Sequence, residues 1–143
     1  MSMFKIRKAI PEDVDDIKVL ADAHKHELGF VMRPALERSI ARREIIVAEN
    51  YHSVVGFVEY HHRQDKQTTI YHIAVMTEYR RQGIGQALIT ALREEADKLG
   101  KTTIQLKCPV DLPADRFYSE IGFDKMKEEE GKARRLGLWR ISP

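Results

Sequence analysis

No stretch limits the fold of this chain more than residues 70–99. Its first part, Ile70-Tyr71-His72-Ile73-Ala74-Val75-Met76, is apolar and rich in β-branched and aromatic residues, so it reads as a strand. Its last part, residues 86–99, places Leu88, Ile89, Leu92 and Ala96 on one side and reads as a helix capped at Gly100. Between them lies Tyr79-Arg80-Arg81-Gln82-Gly83-Ile84-Gly85. The combination is a strand, a short turn and a helix whose first turn holds two glycines. A helix start carries unpaired N–H groups and the positive end of the helix dipole, so it receives phosphate. Gly83 and Gly85 let an anion reach the backbone with no Cβ in the way, and Arg80 and Arg81 add charge beside it.

The rest of the chain supplies strands and helices around this unit. Phe4, Ile6 and Lys8 alternate with Lys5 and Arg7 in a short strand. Pro11-Glu12-Asp13 opens a helix that turns Val14, Ile17, Val19, Leu20 and Ala23 inward and stops near Gly29. A second helix is predicted over residues 34–43, with strands over 44–49 and 54–60 joined by a turn at 50–53. Residues 64–67 turn the chain into the central strand, 68–76. After the glycine-led helix come a strand at 102–106, a helix at 113–121 and strands at 123–126 and 135–141, the last two joined by the charged segment 127–134. The order β-α-α-β-β-β-α-β-α-β-β predicts an α/β fold, a central mixed sheet flanked by helices, in one domain spanning residues 1–143.

Composition narrows the class. A chain of 143 residues suits one domain, and 43% hydrophobic with 32% charged residues marks a soluble globular protein. A net charge of +2 is too mild to argue for nucleic acid, although it suits an anionic cofactor. Cys108 is the only cysteine, which excludes an intrachain disulfide and points to a reducing compartment. The first six residues lack the apolar region of a signal peptide, and no apolar run reaches membrane-spanning length. The expected location is cytoplasmic.

The phosphate-binding turn belongs to neither of two common glycine-rich loops. The P-loop string G-x-x-x-x-G-K-[ST] does not occur, and the dinucleotide pattern G-x-G-x-x-G/A fails at its sixth position, Leu88. What fits is Arg-x-x-Gly-x-Gly, through Arg80, Gly83 and Gly85. Downstream, Asp111-Leu112-Pro113-Ala114-Asp115-Arg116-Phe117-Tyr118 leads into Ile121-Gly122-Phe123. The first pattern resembles the pyrophosphate loop of the GNAT (Gcn5-related N-acetyltransferase) superfamily. The second is similar to that superfamily's other signature, Asn-x-x-Ala followed by Phe-Tyr and Gly-Phe. Ala114, Phe117-Tyr118 and Gly122-Phe123 match it, and Asp111 stands where Asn is usual. The order of elements matches the GNAT arrangement over nearly the whole chain.

The resemblance implies an acetyl-CoA-dependent N-acetyltransferase that uses no metal and moves the acetyl group by direct attack of a primary amine. It places the pyrophosphate on Arg80, Arg81, Gln82, Gly83, Ile84, Gly85 and Gln86. Backbone N–H groups of Ile73-Ala74-Val75 polarise the thioester carbonyl, with Asp111 and Phe117 as further cofactor contacts. As an ionised carboxylate Asp111 accepts hydrogen bonds only, so it can serve a pantetheine N–H but cannot donate. Tyr118 matches the tyrosine that protonates the departing thiolate. An even ladder on both sides of the central strand would leave no N–H for the thioester, so the strand is expected to be irregular near Ala74-Val75.

The base is less visible. The branch of the superfamily that acetylates peptide N-termini carries Glu just after the leucine of the fifth strand, and here Leu106 is followed by Lys107. Glu59, Tyr71 and His72 are the candidates, and Glu59 is chosen, as a carboxylate near the end of a core strand beside the central one. Strand alternation puts Tyr71 and His72 on opposite faces, so they should not both line the site.

Other motifs are read as structural. His24, His26, His61 and His62 lack metal-ligand spacing and are taken as surface histidines. Cys108 is taken as a small buried residue, and Arg42-Arg43 and Arg134-Arg135 as solvated, which disfavours nucleic acid. The acceptor, a small-molecule or protein amine, is expected to be shaped by residues 23–43 and 127–134. Glu27, Glu37, Asp65 and Glu128 read as surface charges. A homodimer follows from resemblance and from the general frequency of two-fold assemblies. The rival reading is a non-catalytic acyl-CoA sensor, against which the retained Tyr118 argues.

Overall fold

The structure, a computed structural model, describes residues 4–112 and 114–143, the side chain of Asp115 excepted. The strands are β1 (Lys5–Lys8), β2 (Ile45–Asn50), β3 (Ser53–His62), β4 (Gln67–Val75), β5 (Thr103–Pro109), β6 (Asp124–Glu130) and β7 (Arg135–Ile141). The α-helices are α1 (Val14–Ala23), α2 (Lys25–Leu28), α3 (Arg33–Ala41), α4 (Ile84–Lys98) and α5 (Asp115–Ile121). The seven strands form one sheet in the order β1-β2-β3-β4-β5-β7-β6. Only β4 and β5 run parallel, joined across the sheet by α4. The mixed sheet flanked by helices is the α/β fold expected.

Two apolar layers hold the sheet. On one face α4 buries Ile84, Leu88, Ile89, Leu92 and Ala96 against Val58, Tyr60, Ile70 and Ile104. On the other face Ile17, Leu20, Leu36 and Ile40 from α1 and α3 cover Val47, Phe57 and Ala74. The heptad-like spacing of the α4 residues is the local cause of the first layer.

Several expectations are corrected. The first helix does not run to Gly29: α1 ends at Ala23 and the short α2 begins at Lys25. His24 leaves the helical region at φ −114, ψ 21, and its buried ring sets Nδ1 3.0 Å from the Leu20 carbonyl oxygen. It fills the inward place expected of Ala23, which is exposed. Val19 is 69% exposed, because the buried stripe of α1 is Val14, Ile17, Leu20 and Ala21. Half of the expected 127–134 connection is strand, since β6 pairs with β7 from Asp124↔Arg140 to Glu130↔Arg135. The expected proline of the first turn of α5, Pro113, lies outside the described residues.

His62 is not a surface histidine either. Its Nε2 lies 2.6 Å from Glu95 Oε2 and its Nδ1 2.7 Å from Thr68 Oγ1. The Tyr60 hydroxyl donates to the same Glu95 carboxylate at 2.7 Å, and Lys8 Nζ reaches both Tyr60 and Glu95. This network ties β1, β3 and β4 to α4. Burial alone would push the Glu95 carboxyl up, but hydrogen bonds from His62, Lys8 and Tyr60 overcome it and hold the group down at about 2. A depressed carboxylate stabilises the fold above its unfolded value and loses that contribution as pH falls. The contribution of Glu95 should therefore be complete above its ordinary value of 4.5 and disappear as pH approaches about 2. Glu95→Gln should destabilise the fold by about 2 kcal/mol near neutral pH. Between pH 4.5 and 2 its melting temperature should fall less steeply than that of the parent; parallel melting curves across that range would show that Glu95 is not the linked group.

Candidate active site

The site begins where the sheet splits. β4 pairs with β5 only at Gln67↔Thr103, Thr68↔Ile104 and Thr69↔Gln105. Beyond Thr69 the two strands separate, although β4 stays on β3 as far as Gly56↔Val75 and β5 stays on β7 as far as Pro109↔Leu136. The split coincides with a bulge. Glu59 opposes His72 while Tyr60 opposes Ile70, so Tyr71 is an extra residue in β4. A bulge bends and twists its strand, which turns β4 away from β5 at that point.

The split leaves main-chain groups of β4 facing a gap. Met76 N–H donates to the Val55 carbonyl at 2.7 Å. In an antiparallel ladder alternate residues direct their N–H and C=O groups to the same neighbour. Ala74 therefore bonds toward β3, whereas Ile73 and Val75 direct theirs into the gap. Arg80 Nε, 3.5 Å from the Val75 carbonyl oxygen, approaches from that side. At Ala74-Val75 the expected irregularity thus lies on the side facing β5, where β4 has left its neighbour, and of the three residues named for carbonyl polarisation Ala74 is turned away.

The glycine loop closes the open end of the gap. Thr77–Tyr79 forms a short 3-10 turn, and α4 starts at Ile84 with Gly83 as its N-cap. Arg81 at φ 65 and Gly83 at φ 81 are both left-handed. This alternation turns successive N–H groups toward one concavity beside the helix start. A Cβ on Gly85 would lie 2.7 Å from Phe117 Cζ, so Gly85 is the floor on which the Phe117 ring rests. The Arg80 guanidinium points across the gap to Glu27 of α2 at 3.7 Å.

Tyr118 stands on the other wall. It is 8% exposed, and its ring meets Phe117 at 5.3 Å and Phe123 and Trp139 at 5.7 Å. Burial pushes its phenol well above the usual range, and the neighbouring Cys108 and Glu27 push the same way. Its hydroxyl has no hydrogen-bond partner among the described residues.

Glu59 is not at a solvated strand end. β3 continues to His62, and Glu59 is 3% exposed on the face covered by α1 and α3. Ser39 Oγ donates to its Oε2 at 2.6 Å, and His72 Nδ1 lies 2.6 Å from its Oε1. The expectation that Tyr71 and His72 point to opposite faces is overturned by the bulge. The extra residue breaks the period of two, so Tyr71 stacks 6.5 Å from His61 while His72 bonds Glu59, all on one face. Sequence reasoning missed Ser39 altogether, because a serine inside an amphipathic helix carries no signal of its own.

The sequence profile of the acetyltransferase (GNAT) family matches residues 11–123. The chain belongs to that family. Among solved structures, Ard1 from Thermoplasma volcanium superposes with a TM-score of 0.87 at 20% identity, covering 99% of this chain and 98% of that one. The PaiA N-acetyltransferase from Thermoplasma acidophilum, solved with coenzyme A, gives 0.82 at 19% identity with full coverage of both chains, 100% each. By sequence, the chain is 35% identical over 60 residues to the ribosomal protein bS18-alanine N-acetyltransferase of Escherichia coli K12. That match covers 41% of this chain and 40% of the relative's length.

Asp111, which departs from the GNAT signature, and Lys107, which departs from the branch that acetylates peptide N-termini, each have a charged partner. Asp111 receives Arg134 Nη2 at 2.8 Å and Nε at 3.2 Å on the same oxygen. Arg134, from the turn between β6 and β7, also reaches the His26 carbonyl oxygen of α2 at 3.5 Å. Lys107 is neutralised by Glu129 of β6 at 2.7 Å, and this contact holds the Glu129 carboxyl below its usual range. The four carboxylates read as surface charges also have cations: Glu27 has Arg80, Glu37 has Arg33, Asp65 has Arg63, and Glu128 has Lys125 and Arg135. No group of three or more His, Cys, Asp or Glu among the described residues is placed to hold a metal ion. No described helix is long and apolar enough to cross a membrane.

Proposed function

We propose that this chain is an N-acetyltransferase that moves the acetyl group of acetyl-CoA to a primary amine by direct attack. The observation that carries the reading is the split between β4 and β5, with the N–H groups of Ile73 and Val75 facing it and the start of α4 at its open end. A thioester in the gap has donors for its carbonyl where the tetrahedral oxyanion forms. The diphosphate meets the backbone of residues 81–86, and Arg81 and Arg80 offset its charge. Phe117 and Asp111 border the path between them. Tyr118 attends the departing sulfur, and Glu59 belongs to the groups that remove the amine proton.

The relatives guide the choice of acceptor. The Escherichia coli relative is named for an alanine amine on a ribosomal protein, so a protein N-terminus is the first acceptor to try. A cytoplasmic location fits the lone, buried Cys108. The test measures release of coenzyme A from acetyl-CoA with peptides bearing free N-termini, peptides bearing lysine, free amino acids and small primary amines. Turnover with one of these classes is expected. Saturable acetyl-CoA binding without turnover on any of them would make the protein an acyl-CoA sensor instead.

A further inference from the structure

We propose that His72 takes the proton of the attacking amine at its Nε2, and that Glu59 is a positioning residue that acts through it. The inference rests on the acetyltransferase reading and assigns its missing base. An amine cannot reach the Glu59 carboxylate directly. The side chain is 4% exposed, one oxygen receives Ser39 Oγ–H at 2.6 Å and the other faces His72 Nδ1 at 2.6 Å. His72 has 24% of its side chain exposed and is the outlet of this buried group. An ionised carboxylate only accepts, so Nδ1 carries the ring proton and Nε2 presents its lone pair. Among the described residues nothing hydrogen-bonds Nε2.

Position supports the assignment. His72 directly precedes Ile73, whose N–H faces the gap where the thioester carbonyl would lie. Nucleophiles approach a carbonyl from above or below its plane, here from one sheet face or the other. On the α4 face the Phe117 ring lies over Gly85. The other face carries His72, brought opposite Glu59 by the Tyr71 bulge. On that face His61 of β3 and Tyr71 of β4 stack on each other. Glu44, ahead of β2, is occupied by His61 Nδ1 at 2.8 Å and the His62 N–H at 2.9 Å. Glu59 is therefore the carboxylate in contact with His72.

The proton and electron balance is simple. The amine nitrogen lone pair bonds to the carbonyl carbon while its N–H proton passes to Nε2. The C–S pair then leaves with sulfur, whose developing charge accepts a hydrogen bond from the Tyr118 hydroxyl. His72 returns its proton to water, and the released thiolate takes its proton from water.

The experiment compares wild type, His72→Asn, Glu59→Gln and Ser39→Ala, with acetyl-CoA and an alanine-starting peptide plus the acceptor panel above. The readouts are kcat/KM against pH, acetyl-CoA affinity by calorimetry and imidazole 15N shifts of the wild type. His72→Asn should lower kcat by about 10²–10⁴-fold and erase the acidic limb. Glu59→Gln should keep that limb but move it to lower pH, because the imidazolium loses its negative neighbour. Ser39→Ala should shift it less, and acetyl-CoA affinity should hold in all three. The wild-type ring should show its neutral-state proton on Nδ1. A limb that survives His72→Asn but vanishes in Glu59→Gln would overturn the proposal in favour of Glu59 as the base itself. A proton on Nε2 in the neutral wild-type ring would overturn it without any variant. Wild type that releases no coenzyme A from any acceptor would instead sink the acetyltransferase reading.

Discussion

Tyr118→Phe should lower kcat by about 10²–10⁴-fold, the usual contribution of a positioned acid, and leave acetyl-CoA affinity nearly unchanged. The substitution removes one hydroxyl from a ring whose packing against Phe117, Phe123 and Trp139 does not use it. A free phenol titrates near about 10 and a simple thiol near about 8.5, so full transfer to the thiolate is uphill by roughly 2 kcal/mol before any adjustment. The structure increases that cost, because burial, with Cys108 and Glu27 nearby, raises the phenol further. Tyr118 therefore acts by donating a hydrogen bond to sulfur as charge develops on it, and complete proton loss is not required. One consequence is a pH dependence: the raised phenol stays protonated through its ordinary titration range, so Tyr118 should contribute no alkaline limb below about pH 10. Steady-state kinetics with the best acceptor, and calorimetry for the cofactor, measure both effects. Normal turnover by the variant would return Tyr118 to a packing role.

What the sequence made legible was local. The apolar run of β4, the glycines of the loop and the α4 stripe of Leu88, Ile89, Leu92 and Ala96 all report interactions within a few residues. Non-local geometry was not legible. The Tyr71 bulge exists only relative to the register of β3, and strict alternation mispredicted its faces. Ser39, Glu59 and His72 come from α3, β3 and β4, so their contact is a product of tertiary packing. The full length of β6 was hidden for a different reason. Its residues Asp124 to Glu128 are all exposed, so no apolar alternation extends the expected strand past 126. The end of α1 depended on a buried histidine whose ring caps its own helix, and a lone histidine in a polar stretch does not announce that.

Gly85→Val should raise the dissociation constant for acetyl-CoA by about 100-fold, equivalent to roughly 2.7 kcal/mol. Gly85 is buried in the first turn of α4, beneath the Phe117 ring. The new Cβ would lie 2.7–2.8 Å from two ring carbons of Phe117, closer than any real contact, and 3.9 Å from Val75 Cγ2. Phe117 is on a short helix and 36% exposed, so it can swing outward, which places the strain at the cofactor path instead of in the core. The fold should survive, with a stability loss of about 1–3 kcal/mol from overpacking. Gly83→Ala provides the contrast. Nothing lies within 4 Å of its would-be Cβ, but its φ of +81° is unfavourable for any side chain. Its penalty is backbone strain of about 1–2 kcal/mol, which should appear as altered loop geometry and a smaller loss of affinity. A double variant, Gly85→Val with Phe117→Ala, separates the two causes. If the valine acts only by evicting the ring, the double variant should bind no worse than Phe117→Ala alone. If the valine also blocks the anion, the double variant should bind more weakly than either single change. Wild-type affinity in a folded Gly85→Val protein would remove the start of α4 from the cofactor site.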